Sequence, residues 1–496
     1  MDYPDPDVIR VDDTYYMVTT TMYFMPGCEI LRSYDLVNWE HASYVYETLD
    51  GTAEQKLTGD KNIYGKGMWA ASIRYHKNKF YVCFAANDTN KTYLYISDKI
   101  NGPWEKRSIQ GFYHDSSLLF DDDGKIYIVY GNNDIWLTQL KDDLSAPLEG
   151  GLHKIIISDK DNKMLGYEGS HFYKINNKYY VFLIHSRKDR WMRTEACFKS
   201  DSIDGEFKGG DVFEDDRNYC GQGVAQGGIV DTPDGKWFAV LFQDSGAVGR
   251  IPVLIPVKWE NDFPVFGENG KVPEKIIVKS ARPDYVYAPL FGSDDFKSSY
   301  IDSKWQFNHE PDKSAYLING KEGRFEIITN KICDDLTQSV NAITQRTLFP
   351  LCSAEVTIDA KDLKEGDYAG ICALQSCYGM AAITRREGKY FVIMKSREPA
   401  DQSASGFKKS ILRAEEREAV PFNSEIVRLK IDIDFTNMKD EAVFYYYHNG
   451  KFNQIGKTHK LYFTLDHFTG CRFALFMYAA EKTGGKAGFM NFRYNG

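Results

Sequence analysis

A short hairpin frame occurs five times within the first half of the chain, and this repetition limits the fold more than any other feature of the sequence. In each copy an apolar residue begins one strand and a polar turn follows. An aromatic residue then enters the returning strand, seven positions after the apolar residue in the first copy and eight in the others. Successive copies lie roughly 45–65 residues apart, which is typical of the blades of a β-propeller. Five copies therefore predict five blades. The apolar residues that define the frame are Ile9, Ile73, Leu119, Phe172 and Val230.

One position of the frame carries candidate chemistry. Four residues before each apolar residue the chain has Asp5, Trp69, Asp115, Glu168 and Gln226, which we call the axial residues. Equivalent positions of the innermost strands converge on the axis of a propeller, so we expect these side chains to meet in one central funnel. Carboxylates forced together shift one another's pKa values, which glycosidic chemistry can use. The alternative is that these residues only cap the strands. Because three of the five are acidic, we favour the catalytic interpretation.

The composition argues against several classes of partner. A net charge of -9 disfavours nucleic acid or an anionic membrane as the main partner, and no apolar run approaches the roughly 20 residues of a membrane span. Nine cysteines without a CxxC pair fit neither a disulfide framework nor a zinc site, and the odd count suits a reducing compartment. The first frame begins by residue 3, which leaves no room for a signal peptide. We therefore expect a cytoplasmic protein, although a secreted chain with its leader trimmed off would look the same.

A second region follows the repeats. The frame stops near residue 280, and the segment 281–295, which contains two prolines and a glycine, is predicted to be a linker. Residues 296–496 contain longer alternating strands, which predict a β-sandwich of the jelly-roll type. The sequence thus predicts an all-β chain with a five-bladed β-propeller catalytic domain at residues 1–280, followed by a jelly-roll-like accessory sandwich. We expect the sandwich to support the propeller and to lend its funnel a loop, rather than to act as an independent sugar-binding module.

Motifs along nearly the whole chain carry a family resemblance. They are PDP at 4–6, PGCEILRS at 26–33, DLVNW at 35–39, WA at 69–70, DSSL at 115–118, EGSH at 168–171, GRIP at 249–252, WQFNHEPD at 305–312, LTQ at 336–338 and TQRT at 344–347. In this order and spacing they resemble glycoside hydrolase family 43, the β-xylosidases and α-L-arabinofuranosidases. Each motif alone is weak, whereas their combination is specific.

The resemblance implies roles for the three acidic axial residues. Asp5 matches the general base of the family and Glu168 matches its general acid. Asp115 matches the third carboxylate, which orients the acid and modulates its pKa. The implied mechanism is inverting: the base activates water on one face of the sugar, while the acid protonates the leaving oxygen on the other face. The repeat frame and the resemblance therefore select the same three residues.

The resemblance also implies substrate-binding residues. Trp69 matches a residue that lines the subsite of the terminal sugar, and a structural core tryptophan is the alternative. Arg250 fits a cation that binds sugar hydroxyls at the floor of the funnel, with a structural salt bridge as the alternative. Gln226 stands where some relatives have a histidine that helps to hold a central calcium ion or water. Met22, Phe24 and the neighbouring pair Arg193 and Thr194 lie where the family often lines its pocket.

The predicted function is that of an exo-acting, inverting glycosidase, which removes terminal β-D-xylose or α-L-arabinofuranose from oligosaccharides of the plant cell wall. The chemistry needs no cofactor or metal. A structural Ca2+ is possible, because the side-chain carbonyl oxygen of Gln226 could serve as a ligand. An endo-arabinanase and a catalytically silent sugar-binding propeller are the alternatives. An invertase-like fructosidase would need an NDP motif, whereas the chain has PDP. The sequence does not predict the oligomeric state.

Overall fold

The computed structural model describes residues 1–400 and 413–496, and antiparallel β-strands dominate these residues. The first part of the chain forms five four-stranded sheets from consecutive segments, which confirms the predicted five-bladed propeller. The strands of blade 1 are Asp7–Val11, Thr14–Thr19, Gly27–Ser33 and Glu40–Tyr46; those of blade 2 are Met68–His76, Lys79–Ala86, Lys91–Ser97 and Glu105–Ile109; those of blade 3 are Ser117–Phe120, Ile126–Asn132, Asp134–Leu140 and His153–Ser158; those of blade 4 are Glu168–Ile175, Lys178–Ser186, Arg193–Ser200 and Lys208–Phe213; and those of blade 5 are Val224–Asp231, Trp237–Asp244, Arg250–Glu260 and Phe263–Phe266.

Two-residue turns close the inner hairpins of two blades and fix their register. Lys77 and Asn78 in blade 2 have φ of 47° and 60°, and Asn176 and Asn177 in blade 4 have φ of 50° and 61°. A positive φ at both central residues matches the type I′ turn, whose twist suits two antiparallel strands. Because these turns join the ends of the innermost strands, the axial residues lie at the opposite end of each blade.

A buried ionic network joins the innermost strands around the propeller axis. Asp7 accepts hydrogen bonds from the backbone N–H of Ile73 (2.8 Å), from Nη1 of Arg74 (2.6 Å) and from Nδ1 of His171 (3.0 Å). Nη2 of Arg74 donates to Oγ of Ser117 (2.6 Å), so four blades share the network. Burial on its own would raise the pKa of Asp7, but the charges and hydrogen bonds of Arg74 and His171 outweigh it and lower this pKa to about 2. This network holds the blades together below the axial residues.

The second part of the chain forms a two-sheet β-sandwich, as predicted. Its core is one apolar cluster to which both sheets contribute. In spatial order, the eight-stranded sheet contains Phe24–Met25, Gln306–Asn308, Ile343–Arg346, Arg472–Ala479, Asp367–Leu374, Gly379–Arg386, Lys389–Ser396 and Glu415–Phe422, and the seven-stranded sheet contains Tyr316–Asn319, Arg324–Ile328, Lys486–Asn495, Leu351–Asp359, Ile426–Asp434, Glu441–His448 and Lys451–Lys460.

One strand of the sandwich comes from the propeller half of the chain. Phe24–Met25, which lies between two strands of blade 1, pairs antiparallel with Gln306–Asn308 at the edge of the eight-stranded sheet. A buried ion pair reinforces this contact, since Nη1 of Arg346 in the sandwich lies 2.6 Å from Oε2 of Glu29 in blade 1. Both backbone pairing and a buried charge pair therefore fix the sandwich against the propeller.

Outside the strands the described residues contain only short helical turns. These are three 3-10 turns at Gly246–Val248, Leu336–Gln338 and Thr436–Met438. No helix within residues 1–400 and 413–496 is long and apolar enough to cross a membrane. Residues 267–305 connect the last propeller strand to the next strand of the sandwich without a strand longer than an isolated bridge, and the predicted linker 281–295 lies inside this connection.

Candidate active site

The first axial residue, Asp5, is held in an uncommon backbone conformation. Its φ is 53°, in the left-handed region, which few residues other than glycine adopt and where Asp is enriched. Both flanking prolines are anchored, since the carbonyl of Pro4 accepts the N–H of Thr20 (3.1 Å) and the carbonyl of Pro6 accepts the N–H of Gly228 in blade 5 (3.0 Å). The surrounding structure thus fixes the conformation and the direction of the Asp5 carboxylate.

The same backbone region recurs at the start of three other blades. Asp115 has φ of 47° and Gln226 has φ of 58°, and in blade 4 the residue after Glu168, Gly169, has φ of 65°. A Cβ atom on Gly169 would lie 2.7 Å from Cδ of Gln226, so the chain requires glycine there. Strained residues persist where the surroundings determine them, and they cluster at functional sites. The axial positions of this propeller form such a cluster.

A buried guanidinium accompanies Asp5. Arg250 begins the third strand of blade 5, and its Nη1 lies 2.9 Å from Oδ1 of Asp5. The two side chains are only 3% and 9% exposed, so the pair is shielded from solvent screening. The backbone N–H of Arg250 donates to Oδ1 of Asp2 (2.8 Å), which fixes the start of its strand. The salt bridge that was the alternative for Arg250 is therefore present, with Asp5 as its partner, and contact of Arg250 with sugar stays a prediction.

The other two axial carboxylates enclose a histidine. Nε2 of His114 lies 3.6 Å from Oδ2 of Asp115 and 3.7 Å from Oε2 of Glu168. Burial alone would lower the pKa of His114, but the negative charges of Asp115, Glu168 and Asp5 and a hydrogen bond to Glu168 raise it to about 9. His114 is therefore an imidazolium at neutral pH. It partly neutralises the cluster of carboxylates.

The surroundings of Asp115 shift the pKa of its carboxyl group. Burial raises its pKa, the positive charge of His114 opposes this, and the negative charges of Glu168 and Asp5 add to it, so that the pKa is about 7. Glu168 and Asp5 are therefore close enough to act on the carboxyl group of Asp115. A carboxyl group and an imidazole with such displaced pKa values, in one cleft, are typical of sites that transfer protons.

The same three residues could also hold a metal ion. Within residues 1–400 and 413–496, only one group of three His, Cys, Asp or Glu residues brings its ligand atoms close enough, all within 4.8 Å of one another: His114, Asp115 and Glu168. The same contacts also describe an ion pair between the His114 imidazolium and two carboxylates. Gln226 is not part of the group. Calcium binding at Gln226 stays a prediction.

The sandwich contributes an aromatic residue to the site. Phe468 lies in the loop before the strand Arg472–Ala479, with its ring centroid 4.6 Å from the Arg250 guanidinium and 5.6 Å from the ring of Trp69. Its carbonyl accepts a hydrogen bond from Nη2 of Arg250 (3.3 Å). Trp69 also lies 5.6 Å from the ring of His114, and its buried indole N–H has no hydrogen-bond partner among the described residues. Trp69, Arg250 and Phe468 thus form one wall beside the carboxylates.

Gln226, the fifth axial residue, is buried, and its side chain lies against Gly169, the residue after Glu168. Its backbone N–H donates to Oε2 of Glu195 (2.7 Å), a buried carboxyl group whose pKa is raised well above its usual range by burial. This contact anchors the start of blade 5 to blade 4. The structure therefore brings Gln226 to the funnel, and its contact with substrate stays a prediction.

Met22 and Phe24 lie at the interface between propeller and sandwich. Both are at most 2% exposed, and they belong to a core cluster with residues of the eight-stranded sheet. The guanidinium of Arg472 lies 3.6 Å from the ring centroid of Phe24. Trp69 and Phe468 pack against the edge of this cluster, so Met22 and Phe24 support the aromatic wall from behind. No described contact joins either residue to the three carboxylates, and a contact of either with sugar stays a prediction.

Arg193 and Thr194 lie at the start of the third strand of blade 4. Nε of Arg193 pairs with Oδ2 of Asp244, and Thr194 is fully buried. Arg193, Asp244 and the exposed Trp191 line a cavity of about 270 Å3 between the propeller and the sandwich, and Phe468 lies at the same cavity. Arg193 is thus next to the aromatic wall, whereas Thr194 is part of the core of the blade.

Three residues of the site were not predicted from the sequence: His114, Phe468 and Asn132, whose side-chain amide hydrogen-bonds to Glu168. His114 directly precedes an axial acid, so a search of the neighbours of the axial residues would have found it. Asn132 ends the second strand of blade 3, outside the frame. Phe468 belongs to the other domain and has no signal in the repeat.

Two family models together match most of the chain. The model described as glycosyl hydrolases family 43 matches residues 1–264, and that of the β-xylosidase C-terminal concanavalin A-like domain matches residues 293–495. A β-xylosidase of Formosa agariphila is 24% identical, over 98% of this chain and 87% of its own length. A non-reducing end α-L-arabinofuranosidase of Bacteroides ovatus is 26% identical, over 74% of this chain and 71% of its own length.

A solved structure from Bacteroides eggerthii, described as a bifunctional GH43-CE, is 39% identical with a TM-score of 0.90. The match covers 100% of this chain and 62% of that protein, so the chain spans less than two thirds of its length. Both domains and their order agree with the family that these comparisons identify. The chain therefore belongs to glycoside hydrolase family 43, in a form that joins the propeller to a concanavalin A-like β-sandwich.

Proposed function

We propose that the protein is an inverting exo-glycosidase that releases terminal β-D-xylose or α-L-arabinofuranose from oligosaccharides of the xylan type. The observation that carries this proposal is the convergence of Asp5, Asp115 and Glu168 at one end of the propeller axis, beside the aromatic wall. Relatives named as β-xylosidase and as α-L-arabinofuranosidase support both sugars. Pentoses of the two kinds can present similar hydroxyl patterns to one pocket, so dual activity is part of the proposal.

The environments of the two reacting carboxylates suit different tasks. Asp5 is paired through Oδ1 with the buried guanidinium of Arg250, which holds the carboxylate in place to accept a proton from water. Glu168 lies next to His114 and Asn132 and is 18% exposed, so it can reach a substrate oxygen. Pairs of titratable groups in such different environments are characteristic of acid–base catalysis.

The reaction assigned to the site is a single displacement. Water attacks the anomeric carbon and transfers a proton to Asp5, while the glycosidic C–O bond breaks and its electron pair goes to the leaving oxygen. Glu168 gives its proton to that oxygen as the bond breaks. Inversion needs the two carboxyl groups roughly 6.5–9.5 Å apart, so that a water molecule fits between one of them and the sugar.

The aromatic wall favours exo action over the endo-arabinanase alternative. Phe468 comes from the sandwich and contacts both Trp69 and Arg250, so the second domain bounds the funnel on one side. A bounded funnel accepts the end of a chain, whereas an endo-acting enzyme needs a cleft that is open at both ends. The silent sugar-binding alternative is disfavoured because all three carboxylates are present and two groups at the site have strongly displaced pKa values.

The test is the release of 4-nitrophenol from the β-D-xyloside and the α-L-arabinofuranoside by the wild type and by Glu168→Ala. We expect activity on at least one substrate and a loss of about 10²–10⁴-fold in kcat in the variant, the range that general acid catalysis contributes. The NMR signal of the first-formed anomer should show inversion of configuration. Xylo-oligosaccharides should lose single sugars from one end.

A matched control is Glu206→Ala, which removes a 76% exposed carboxylate from the same blade. This control should retain the wild-type rate. Glu168→Ala at the wild-type rate, or no turnover of either substrate by the wild type, would contradict the proposal and favour the binding module. Internal cleavage of arabinan would instead favour the endo-acting alternative.

A further inference from the structure

The two oxygens of the Glu168 carboxylate are not equivalent in the structure. Nδ2 of Asn132 donates a hydrogen bond to Oε2, and Nε2 of the His114 imidazolium lies 3.7 Å from the same oxygen. Within residues 1–400 and 413–496, no hydrogen bond reaches Oε1. Donors therefore surround one oxygen, and the other is left for the proton and the substrate.

The side chain of Asn132 is itself fixed by its neighbour. Nδ2 of Asn133 donates to Oδ1 of Asn132 (2.6 Å). If the Asn132 amide alone were turned over, its NH2 group would face the Asn133 donor and its oxygen would face an unprotonated Oε2 of Glu168, and both contacts would be repulsive. The network therefore assigns the NH2 group of Asn132 to Glu168.

Asn133 is held by both its backbone and its surroundings. It has φ of 64°, its N–H donates to the carbonyl of Tyr167 (2.8 Å), and its carbonyl accepts the N–H of Asp159 (2.8 Å). The backbone of Gly166 packs closely against the Asn133 side chain, since a Cβ atom on Gly166 would lie 2.0 Å from Oδ1 of Asn133. The chain from Asn133 through Asn132 to Glu168 thus rests on a fixed turn between two strands of blade 3, and Tyr167 directly precedes Glu168.

We propose that Asn132 is a positioning residue for the acid step: its amide engages Oε2 of Glu168 as an acceptor and keeps the transferable proton on Oε1. This inference rests on the proposed function of Glu168. In the step, the O–H bond at Oε1 breaks as the proton moves to the glycosidic oxygen, and that oxygen takes the electron pair of the breaking C–O bond. The carboxylate that results carries its charge partly on Oε2, where Asn132 and His114 stabilise it.

The test uses the dependence of the rate on the leaving group. In Asn132→Ala, kcat/KM for a xylo-oligosaccharide or an alkyl glycoside, whose leaving oxygen needs the proton, should fall about 10–100-fold. For the 2,4-dinitrophenyl glycoside of the same sugar, which leaves without a proton, the fall should be less than about threefold. Asn132→Asp has the same shape but no NH2 donor, and it should behave like Asn132→Ala or worse.

Asn133→Gly removes only the supporting amide at a residue whose φ suits glycine, so it should give a smaller effect in the same pattern. The matched control is Asn177→Gly, the same substitution at a φ of 61° in a hairpin turn at the far end of blade 4, which should leave both rates unchanged. Equal losses on both leaving groups in Asn132→Ala, or a wild-type rate in Asn132→Asp, would overturn the inference. A wild-type rate in Glu168→Ala would instead refute the proposed function. Failure of the inference about Asn132 can therefore be distinguished from failure of the proposed function.

Discussion

Replacing Asp115 with Asn is expected to stabilise the protein, and the gain should increase with pH. The Asp115 carboxyl group is buried, and burial together with the charges of Glu168 and Asp5 raises its pKa from 3.8 to about 7. Above pH 3.8 the carboxyl group ionises readily in the unfolded chain but not in the folded one. Folding is therefore penalised as the pH rises towards 7, and the penalty is constant above that pH.

The magnitude follows from the displaced pKa. At about 1.36 kcal/mol for each pKa unit, the penalty grows by about 2 kcal/mol between pH 5 and pH 7 and reaches roughly 4 kcal/mol in total. His114 reduces the gain, because its pKa of about 9 depends on Asp115 and the favourable contribution of its imidazolium falls when that charge is removed. We therefore expect Asp115→Asn to be more stable than the wild type by about 1–3 kcal/mol at pH 8, with a smaller difference at pH 5.

The assay is thermal or urea unfolding of both proteins at pH 5 and pH 8. Asp7→Asn is a control of opposite sign, because Asp7 is buried with a pKa lowered to about 2 by Arg74 and His171. Its carboxylate stabilises the fold above pH 3.8, and this contribution is lost only as the pH falls towards 2. Asp7→Asn should therefore lower the Tm at both pH values. An Asp115→Asn variant that is less stable than the wild type at pH 8, or whose gain does not change with pH, would refute the reasoning.

Three further substitutions probe other parts of the site. Arg250→Met leaves the Asp5 carboxylate buried without its partner, so the free energy of unfolding should fall by about 3–5 kcal/mol. Because Arg250 also holds the proposed general base in place, kcat/KM on 4-nitrophenyl glycosides should fall at least 100-fold, and a fall below tenfold would contradict this expectation. Phe468→Ala removes the part of the wall that the sandwich supplies, so KM should rise about tenfold with a smaller change in kcat, and an unchanged KM would argue against contact with sugar. Gly169→Ala places a Cβ atom 2.7 Å from the side chain of Gln226, at a φ of 65°. It should lower the free energy of unfolding in urea by about 1–2 kcal/mol and reduce kcat at least tenfold. Wild-type values would show that the turn tolerates a side chain.

The repeat frame predicts the propeller and the three carboxylates because it reports a geometric equivalence. Innermost strands of successive blades are related by rotation about one axis, so residues at one frame position must come together at one end. Asp5 and Glu168 both raise the pKa of Asp115 in the structure, although they lie 163 positions apart in the sequence. The left-handed φ at Asp5 and Asp115 was not predicted, since the frame carries no information on backbone strain.

Residues outside the frame could not be predicted in this way. Phe468 reaches the site through the packing of one domain on the other, which no periodicity within either domain encodes. Asn132 acts through a turn whose direction depends on the φ of Asn133. Phe24 illustrates another limit of the sequence: the motif that includes it carries no sign of the domain interface, where its ring packs against Arg472. Sequence alone does not distinguish an aromatic residue that faces a ligand from one that faces another domain.

The strand Phe24–Met25 has a consequence for engineering. Because this segment of the propeller half completes the edge of the eight-stranded sheet, a cut near residue 280 would leave Gln306–Asn308 with an unpaired backbone edge and would expose Phe24 and Met25. Exposed sheet edges and apolar residues promote aggregation, so each half expressed alone should be poorly soluble. A chimaera that borrows the sandwich of a relative would have to exchange the two-residue strand as well, since the seam between the domains does not coincide with any single point in the chain.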